Sequence, residues 1–203
     1  MIFFTSDLHI YHTNVIKYCG RPYSSVEEMN ESLVLNWNVV VSSEDTVYCL
    51  GDFSMAARPV ETFTPRLMGK KKYLVPGNHD FCHSYHKKSR NEENRKKWIA
   101  FYEANGWIVL PEQTYLDLEG IGPVNICHHP YSNDNSSGET YDDKYEKWRP
   151  MDDGKVLLCG HIHEKWLTKK SPKDTLMINV GVDVWNYTPV DTQTLADLIK
   201  SAS

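Results

Sequence analysis

Five times in this chain a short apolar run stops at residues that can bind a metal or move a proton. The runs are Met1 to Thr5, Thr46 to Leu50, Lys72 to Val75, Val124 to Cys127 and Val156 to Cys159. They lead into Asp7 with His9, Asp52, Asn78 with His79, His128, and His161 with His163. Runs this short, rich in β-branched and aromatic residues, read as buried strands. A lone histidine at a strand end is more often an ordinary core or surface residue than a ligand. Five strand ends with the same chemistry are not explained that way. In α/β folds the ligand site lies where the loops beyond the strand ends converge, so the pattern demands a sheet fold that gathers these ends together.

Between the strands the periodicity changes. Ser25-Val26-Glu27-Glu28 fits a capping box, and the helix it opens carries Met29, Leu33, Trp37 and Val40 on one side. Pro59 to Met68 reads as a helix with Pro65 disturbing its middle. Residues 91–105 read as another, closed by Gly106. Trp107 to Leu110, Thr114 to Leu118 and Val124 to Cys127 form a strand group with short turns, antiparallel by the alternation in Tyr115-Leu116-Asp117-Leu118. Residues 131–150 read as a long loop, Met177 to Val180 as a further strand and Asp191 to Ile199 as a terminal helix. The first half is strand–helix–strand and the second mainly strands. The expected fold class is therefore α/β (α+β), with two stacked mixed sheets and helices outside. Neither a repeat nor a linker divides residues 1–203, so a single domain is expected.

The formal net charge of −5 gives no global footprint of nucleic-acid binding. The cluster from Lys87 to Lys97 is broken by Glu92 and Glu93 and reads as a solvated helix face. The cysteines are five, scattered, and without a C-x-x-C pair, which argues for a reducing compartment and against a cysteine zinc site. No run approaches the ~20 apolar residues of a membrane span. A cytoplasmic protein is expected.

The strand-end residues offer carboxylate, imidazole and amide but no thiolate. That mixture suits Mn, Fe, Zn or Ni more than a structural zinc site. They are too many for one ion, which argues for two ions sharing a carboxylate, roughly 3.5–4 Å apart. In order, Asp7-x-His9, Gly51-Asp52, Gly77-Asn78-His79-Asp80, His128 and Gly160-His161-x-His163 resemble the calcineurin-like metallophosphoesterases, block by block from residue 7 to 163. The stretch Asp7 to Asn14, with Arg21-Pro22-Tyr23, is similar to the small bacterial and phage members. The resemblance implies a four-layer αββα sandwich and two divalent ions, Mn first, with Fe, Zn, Ni or Mg as alternatives. By it, Asp7, His9, Asp52 and His163 hold one ion. Asp52, Asn78, His128 and His161 hold the other, with Asp52 bridging. His128 is preferred to His129 because the family pattern sets the ligand two residues before the proline, here Pro130.

The same resemblance makes the chain a phosphomonoesterase or phosphodiesterase acting on a small, nucleotide-like substrate, with hydroxide held between the ions as nucleophile. His79 then contacts the phosphate and protonates the leaving oxygen, and Asp80 orients its imidazole, although Asp80 also suits a plain loop hydrogen bond. Further candidates for substrate contact are His12, Asn14, Arg21, Tyr131, Trp148 and Arg149. Thr13 or Asn14 equally suits a helix start. His83 and His86 read as surface histidines. Two rivals remain. A nuclease is disfavoured by the net acidity. A non-catalytic protein-binding scaffold is disfavoured because every motif residue is present.

Overall fold

The computed structural model describes residues 1–132 and 142–202. Part of the expected loop, residues 133–141, lies outside them. Two five-stranded mixed sheets stack face to face with helices flanking them, as expected. The first sheet holds β1 (Ile2–Thr5), β2 (Thr46–Cys49), β3 (Lys71–Leu74) and β4 (Ile108–Val109), all parallel, with β10 (Val190–Asp191) antiparallel beside β1. The second runs in the order β5 (Gln113–Leu118), β6 (Gly122–Cys127), β7 (Val156–Cys159), β9 (Leu176–Asn179), β8 (Thr168–Lys170). In it β6, β7 and β9 are parallel, and β5 and β8 are antiparallel edges.

Both faces of the first sheet are covered, so its strands are apolar on both sides and alternate by destination. Phe3, Val47, Cys49 and Leu74 face the helices α2 (Val26–Val40), α3 (Ala57–Phe63) and α4 (Glu92–Ala104), meeting Leu33, Trp37, Val60 and Tyr102. Phe4, Leu50 and Val75 point the other way, into the core between the sheets, against Val124, Ile126, Leu158 and Ile178. Leu195 of α5 (Thr192–Ala202) joins that core. The outer side of the second sheet carries a small cluster of Cys127, Tyr131, Leu157, Cys159 and Met177 with Trp166. The buried indoles keep their polar ends satisfied: Trp37 Nε1 donates to the Met68 carbonyl and Trp107 Nε1 to Thr64 Oγ1, each at 2.9 Å.

Several elements differ from the sequence reading. The stretch at Trp107 does not join the antiparallel group. After β3 the chain crosses through α4 and returns as the parallel edge β4, the usual route for a strand–helix–strand unit. Helix α3 starts earlier than expected, so Pro59 falls in its first turn, where a missing N–H costs nothing. Pro65 ends it, and Thr64–Arg66 continue as a 3-10 turn. The edge strands β8 and β10 are too short and polar to show in the pattern. Within the expected loop, Asp142–Trp148 form a 3-10 helix. The capping box is half reciprocal. Ser25 Oγ accepts from the Glu28 amide at 3.1 Å, whereas the Glu28 carboxylate reaches back to the amide of Ser24 at 2.8 Å.

Replacing Ser25 with Ala removes that cap, at a cost of about 1 kcal/mol. Thermal unfolding should shift down by roughly 2–4 °C for a chain of this size. An unchanged melting temperature would show that the cap does not stabilise α2.

Candidate metal centre

The strand ends converge at one edge of the sandwich, where the turns beyond β1 and β2 continue the ladder of the first sheet. Asp7 N donates to Gly51 O, His9 N to Asp52 O and Ile10 N to Phe53 O, each at 3.0 Å. The backbone there is not extended. Asp7, His9, Asp52, His161 and His163 all adopt positive φ, between 50° and 73°. An i, i+2 spacing would aim two side chains to one face only on extended backbone, and these segments are not extended. Each residue sits at a left-handed kink, which costs roughly 1–2 kcal/mol per L-residue. Close approach of the turns requires glycine at two places. A Cβ on Gly77 would run into Asp52, and one on Gly160 into Ser6 and Asp7. Gly77 thus serves close approach of backbone to Asp52.

Asp52 is the centre of the cluster. Its Oδ1 accepts from the His79 amide at 2.8 Å. Its Oδ2 faces His128 Nε2 at 3.4 Å, His9 Nε2 at 3.5 Å and His79 Nε2 at 3.9 Å. Asp7 Oδ2 accepts from the His161 amide at 2.9 Å, and Asp7 Oδ1 lies 3.9 Å from His9 Nε2. Ligand atoms of Asp7, His9 and His163 lie within 4.8 Å of one another, as do those of Asp7, Asp52 and His128, and those of His128, His129 and His161. His128 Nδ1 donates to the Leu50 carbonyl at 2.7 Å, which fixes its tautomer and turns Nε2 inward.

Four atoms of the sequence-predicted ligands are buried without any hydrogen-bond partner, Asp7 Oδ1, His9 Nε2, Asn78 Oδ1 and His128 Nε2, and so are both ring nitrogens of the adjoining His129. Buried polar atoms are almost always satisfied. A concentration of orphans in one cluster, all oxygen or imidazole nitrogen, fits divalent cations as the missing partners. Asp7 and Asp52 each have one oxygen committed to an amide and one turned toward the histidines.

The protonation pattern of the protein alone agrees with this. Burial raises Asp7. Burial also opposes ionisation of Asp52, but His128 and His79 outweigh it and hold the carboxyl well below its usual range. His128 is desolvated yet pushed up to about 9 by Asp52. Burial drives His9 and His161 well below the usual imidazole range. Protons and cations thus compete for the same nitrogens.

Several expected contacts fall elsewhere. Asp80 does not reach the His79 ring. It is fully buried and accepts from the amides of Asp52 at 2.8 Å, Gly77 at 2.9 Å and Phe53 at 3.2 Å, with Tyr102 Oη donating at 3.4 Å. Its neighbour in sequence faces the other way because Asp80 caps the turn that His79 leaves. Burial and Asp52 push it up to about 7. Arg21 is buried, not open to phosphate. It grips both oxygens of Asp183, at 2.7 and 2.9 Å, and donates to the Asp7 and Leu8 carbonyls at 2.7 and 3.0 Å. Tyr131 is buried with Oη on the Lys155 carbonyl at 2.7 Å, and the buried Arg149 donates to the Tyr131 carbonyl at 3.3 Å. Trp148 donates to Ser84 Oγ at 2.7 Å. Asn14 is exposed on α1 (Thr13–Tyr18). His12 does reach the cluster, with its Nδ1 3.3 Å from His9 Nδ1 and its ring 6.3 Å from His79.

The sequence reading missed Asp183, His129 and His83. Asp183 Oδ2 meets His163 Nδ1 at 3.1 Å, so one carboxylate joins Arg21 to that histidine. Its signal was available: Gly181-Val182-Asp183 follows β9 as a sixth apolar strand ending in glycine and a carboxylate. His129 is buried, and its ring centroid lies 4.5 Å from that of His161, nearer than His128 at 5.2 Å. His83 is buried, not on the surface. Its Nδ1 accepts from the Tyr85 amide at 2.9 Å, and burial lowers it to about 4.

Two mixed sheets that carry a carboxylate–imidazole–amide cluster across their strand ends define a metallophosphoesterase fold. The chain belongs to the calcineurin-like phosphoesterase family, which matches residues 1–165, and is a phosphoesterase in that broad sense. It is 30% identical to the gene 66 protein of Mycobacterium phage L5 over 90% of this chain and 86% of that one. It is also 30% identical to the "Uncharacterized protein MJ1445" of Methanocaldococcus jannaschii, over 98% and 91%. Among solved structures, a protein of unknown function from Aquifex aeolicus, AQ665, superposes with a TM-score of 0.63 at 23% identity, covering 98% of both chains. Phosphopantetheinyl hydrolase of Mycobacterium tuberculosis gives 0.51 at 12% identity, covering 89% and 88%. These two share the fold.

Asp80→Ala would leave the Asp52, Gly77 and Phe53 amides unpaired in the interior, at about 1–3 kcal/mol each. The metal-free variant should unfold at a clearly lower urea concentration, while His79→Ala should leave the midpoint in place. Equal midpoints for Asp80→Ala and the parent chain would remove Asp80 as the anchor of these turns.

Proposed function

We propose that the chain is a two-metal phosphoesterase that hydrolyses a small phosphomonoester or phosphodiester. The observation that carries this reading is the set of four partnerless ligand atoms gathered around the buried Asp52 carboxylate. Asp7, His9, Asp52 and His163 would hold one cation and Asp52, Asn78, His128 and His161 the other, with manganese the first choice. Bound there, two divalent ions supply Lewis-acid activation of water and offset charge on the phosphoryl oxygens.

The remaining chemistry falls to the side chains. His79 is the group able to move a proton at the mouth of the cluster. Its side chain is 37% exposed while Asp52 and His9 beside it are buried, so its ring meets both the cluster and an incoming substrate. Its amide bond to Asp52 fixes its backbone, and the edge of the His9 ring stands 5.4 Å away. That placement suits a general acid donating to the leaving oxygen from the ring, a contribution of typically ~100- to 10,000-fold. Arg21 and Asp183 act at one remove. They hold the Asp7–Leu8 carbonyls and the His163 ring in register, and touch no substrate.

Bis-p-nitrophenyl phosphate should be hydrolysed with added manganese, and chelation should abolish turnover. His79→Ala should retain both ions by elemental analysis and lose about 100-fold or more on an alkyl phosphoester, whose leaving oxygen needs the proton. Near-parent turnover on that substrate would refute the general-acid role. Asp52→Asn should lower occupancy of both sites, and full occupancy would remove it as the shared ligand.

A further inference from the structure

A cavity of about 470 Å³ opens directly beside His79. Asn78 and His79 form one wall, and Tyr85, Lys87, Arg90 and Tyr145 form much of the rest. Among the described residues none of those lining it is acidic. The Tyr85 and Tyr145 rings stand edge to face, 4.9 Å apart, and Tyr85 also packs on Trp148 at 5.0 Å. The Tyr85 amide is tied to His83 Nδ1 at 2.9 Å, so this aromatic wall is held before any ligand arrives.

The basic residues are presented just as firmly. The sequence reading placed Lys87 to Lys97 on one solvated helix face. Instead Lys87–Ser89 form a separate 3-10 turn, capped by His86 Nδ1 accepting from the Lys88 amide at 3.2 Å. Lys88 turns inward over the Phe81 ring at 3.7 Å. Lys96 and Lys97 pair with Glu92 and Glu93 along α4. Lys87 and Arg90 are exposed on the cavity side, and neither has a carboxylate partner among the described residues.

A phosphoryl group held at the Asp52 cluster, with its leaving oxygen at His79, directs its leaving group into this cavity. Tyr85, half-buried, offers a stacking surface for a planar ring, and the buried Tyr145, itself stacked on His129 at 5.1 Å, backs it. The two cations, lying beyond the metal-ligand cluster, offer charge that the phosphoryl under attack does not use. We propose that this cavity is a leaving-group subsite for a nucleotide bearing a second phosphate. The assignment rests on the phosphoesterase reading above. The base lies against Tyr85, and Lys87 and Arg90 bind the second phosphate, Arg90 through its planar fork. The volume suits one nucleotide; small-ligand sites span about 300–1,000 Å³. The net charge of −5 gives no basic track for a longer strand.

Equilibrium binding by calorimetry with manganese, on the full chain carrying His79→Ala so that consumption of the phosphoesters is slowed, tests this separately from turnover. Adenosine 3′,5′-bisphosphate should bind at least about tenfold tighter than adenosine 5′-monophosphate, as expected for one added charge-assisted phosphate contact. In Lys87→Gln/Arg90→Gln that ratio should fall below about threefold, while Lys71→Gln, at an exposed position that opens β3, keeps it. Tyr85→Leu, checked for an unchanged melting temperature, should weaken both nucleotides by roughly five- to hundredfold and leave glycerol 3-phosphate alone. Equal affinities for the three ligands, or an unchanged ratio in the double variant, would overturn the subsite. Tighter binding of a ten-nucleotide single strand than of the bisphosphate would overturn the small-molecule assignment. Hydrolysis of bis-p-nitrophenyl phosphate, run in parallel on the parent chain, separates the two readings. Turnover with flat affinities removes only the subsite, whereas the predicted ranking without turnover upholds nucleotide binding in the cavity and removes its leaving-group role together with the hydrolytic reading.

Discussion

The site depends on backbone held in a conformation that L-residues avoid. Asp7, His9, Asp52, His161 and His163 share left-handed φ values, and such kinks persist only where the surroundings over-determine them. The surroundings here are specific. Arg21 binds the two carbonyls that separate Asp7 from His9. Asp80 collects the amides of Asp52, Phe53 and Gly77. Asn179 Nδ2 donates to the His163 and Trp166 carbonyls, at 2.6 and 3.0 Å, while its Oδ1 accepts from the Gly181 amide. Each is a buried side chain bonded to backbone, and each acts on a turn that carries residues of the cluster.

That arrangement explains why several polar residues read as chemical turn out to be structural. Arg21 and Asp80 have the right residue types for phosphate binding and proton relay. What the sequence does not display is the partner, because Arg21 meets Asp183 across 162 positions. A carboxylate beside a catalytic histidine in the chain need not be beside it in space. At a kinked turn consecutive side chains diverge, so His79 opens to the cavity while Asp80 goes under the loop.

The strands, their alternation and the convergence of their ends were legible because burial on two faces leaves a strong apolar signal. Phe3 and Phe4 show it most simply, one entering the helix-side core and the other the inter-sheet core. The edge strands β8 and β10 were not legible, since edge strands face solvent and carry little apolar pattern. The candidate centre was legible through residue type and order, whereas its geometry was not. An i, i+2 spacing suggests extended backbone, and only the hydrogen bonds to Arg21, Asp80 and Asn179 reveal why these segments bend instead. His83 and His129 were missed for a related reason: their burial comes from packing between distant segments.

Reaction chemistry and substrate choice are thereby divided between two kinds of structure. The cluster is tied to sheet termini by backbone bonds, so its shape follows from the fold and should tolerate little change. The adjoining cavity is built from Tyr85, Lys87, Arg90 and Tyr145, on a turn after Asp80 and on the 3-10 helix Asp142–Trp148. None of these residues belongs to a motif block or supports a left-handed kink. Tyr85, Lys87 and Arg90 can change without touching the cluster, whereas Tyr145 packs on the His161 and His129 rings, at 5.0 and 5.1 Å, and Asp80 and Arg21 anchor the cluster's turns. Shared chemistry with divergent substrates is the expected consequence of placing recognition on connecting segments and reaction on strand ends. Asn78 and His79 belong to both. Asn78 turns its side-chain oxygen into the cluster, and His79 donates its amide to Asp52 while its ring forms part of the cavity wall, so this one dipeptide joins the two parts of the structure.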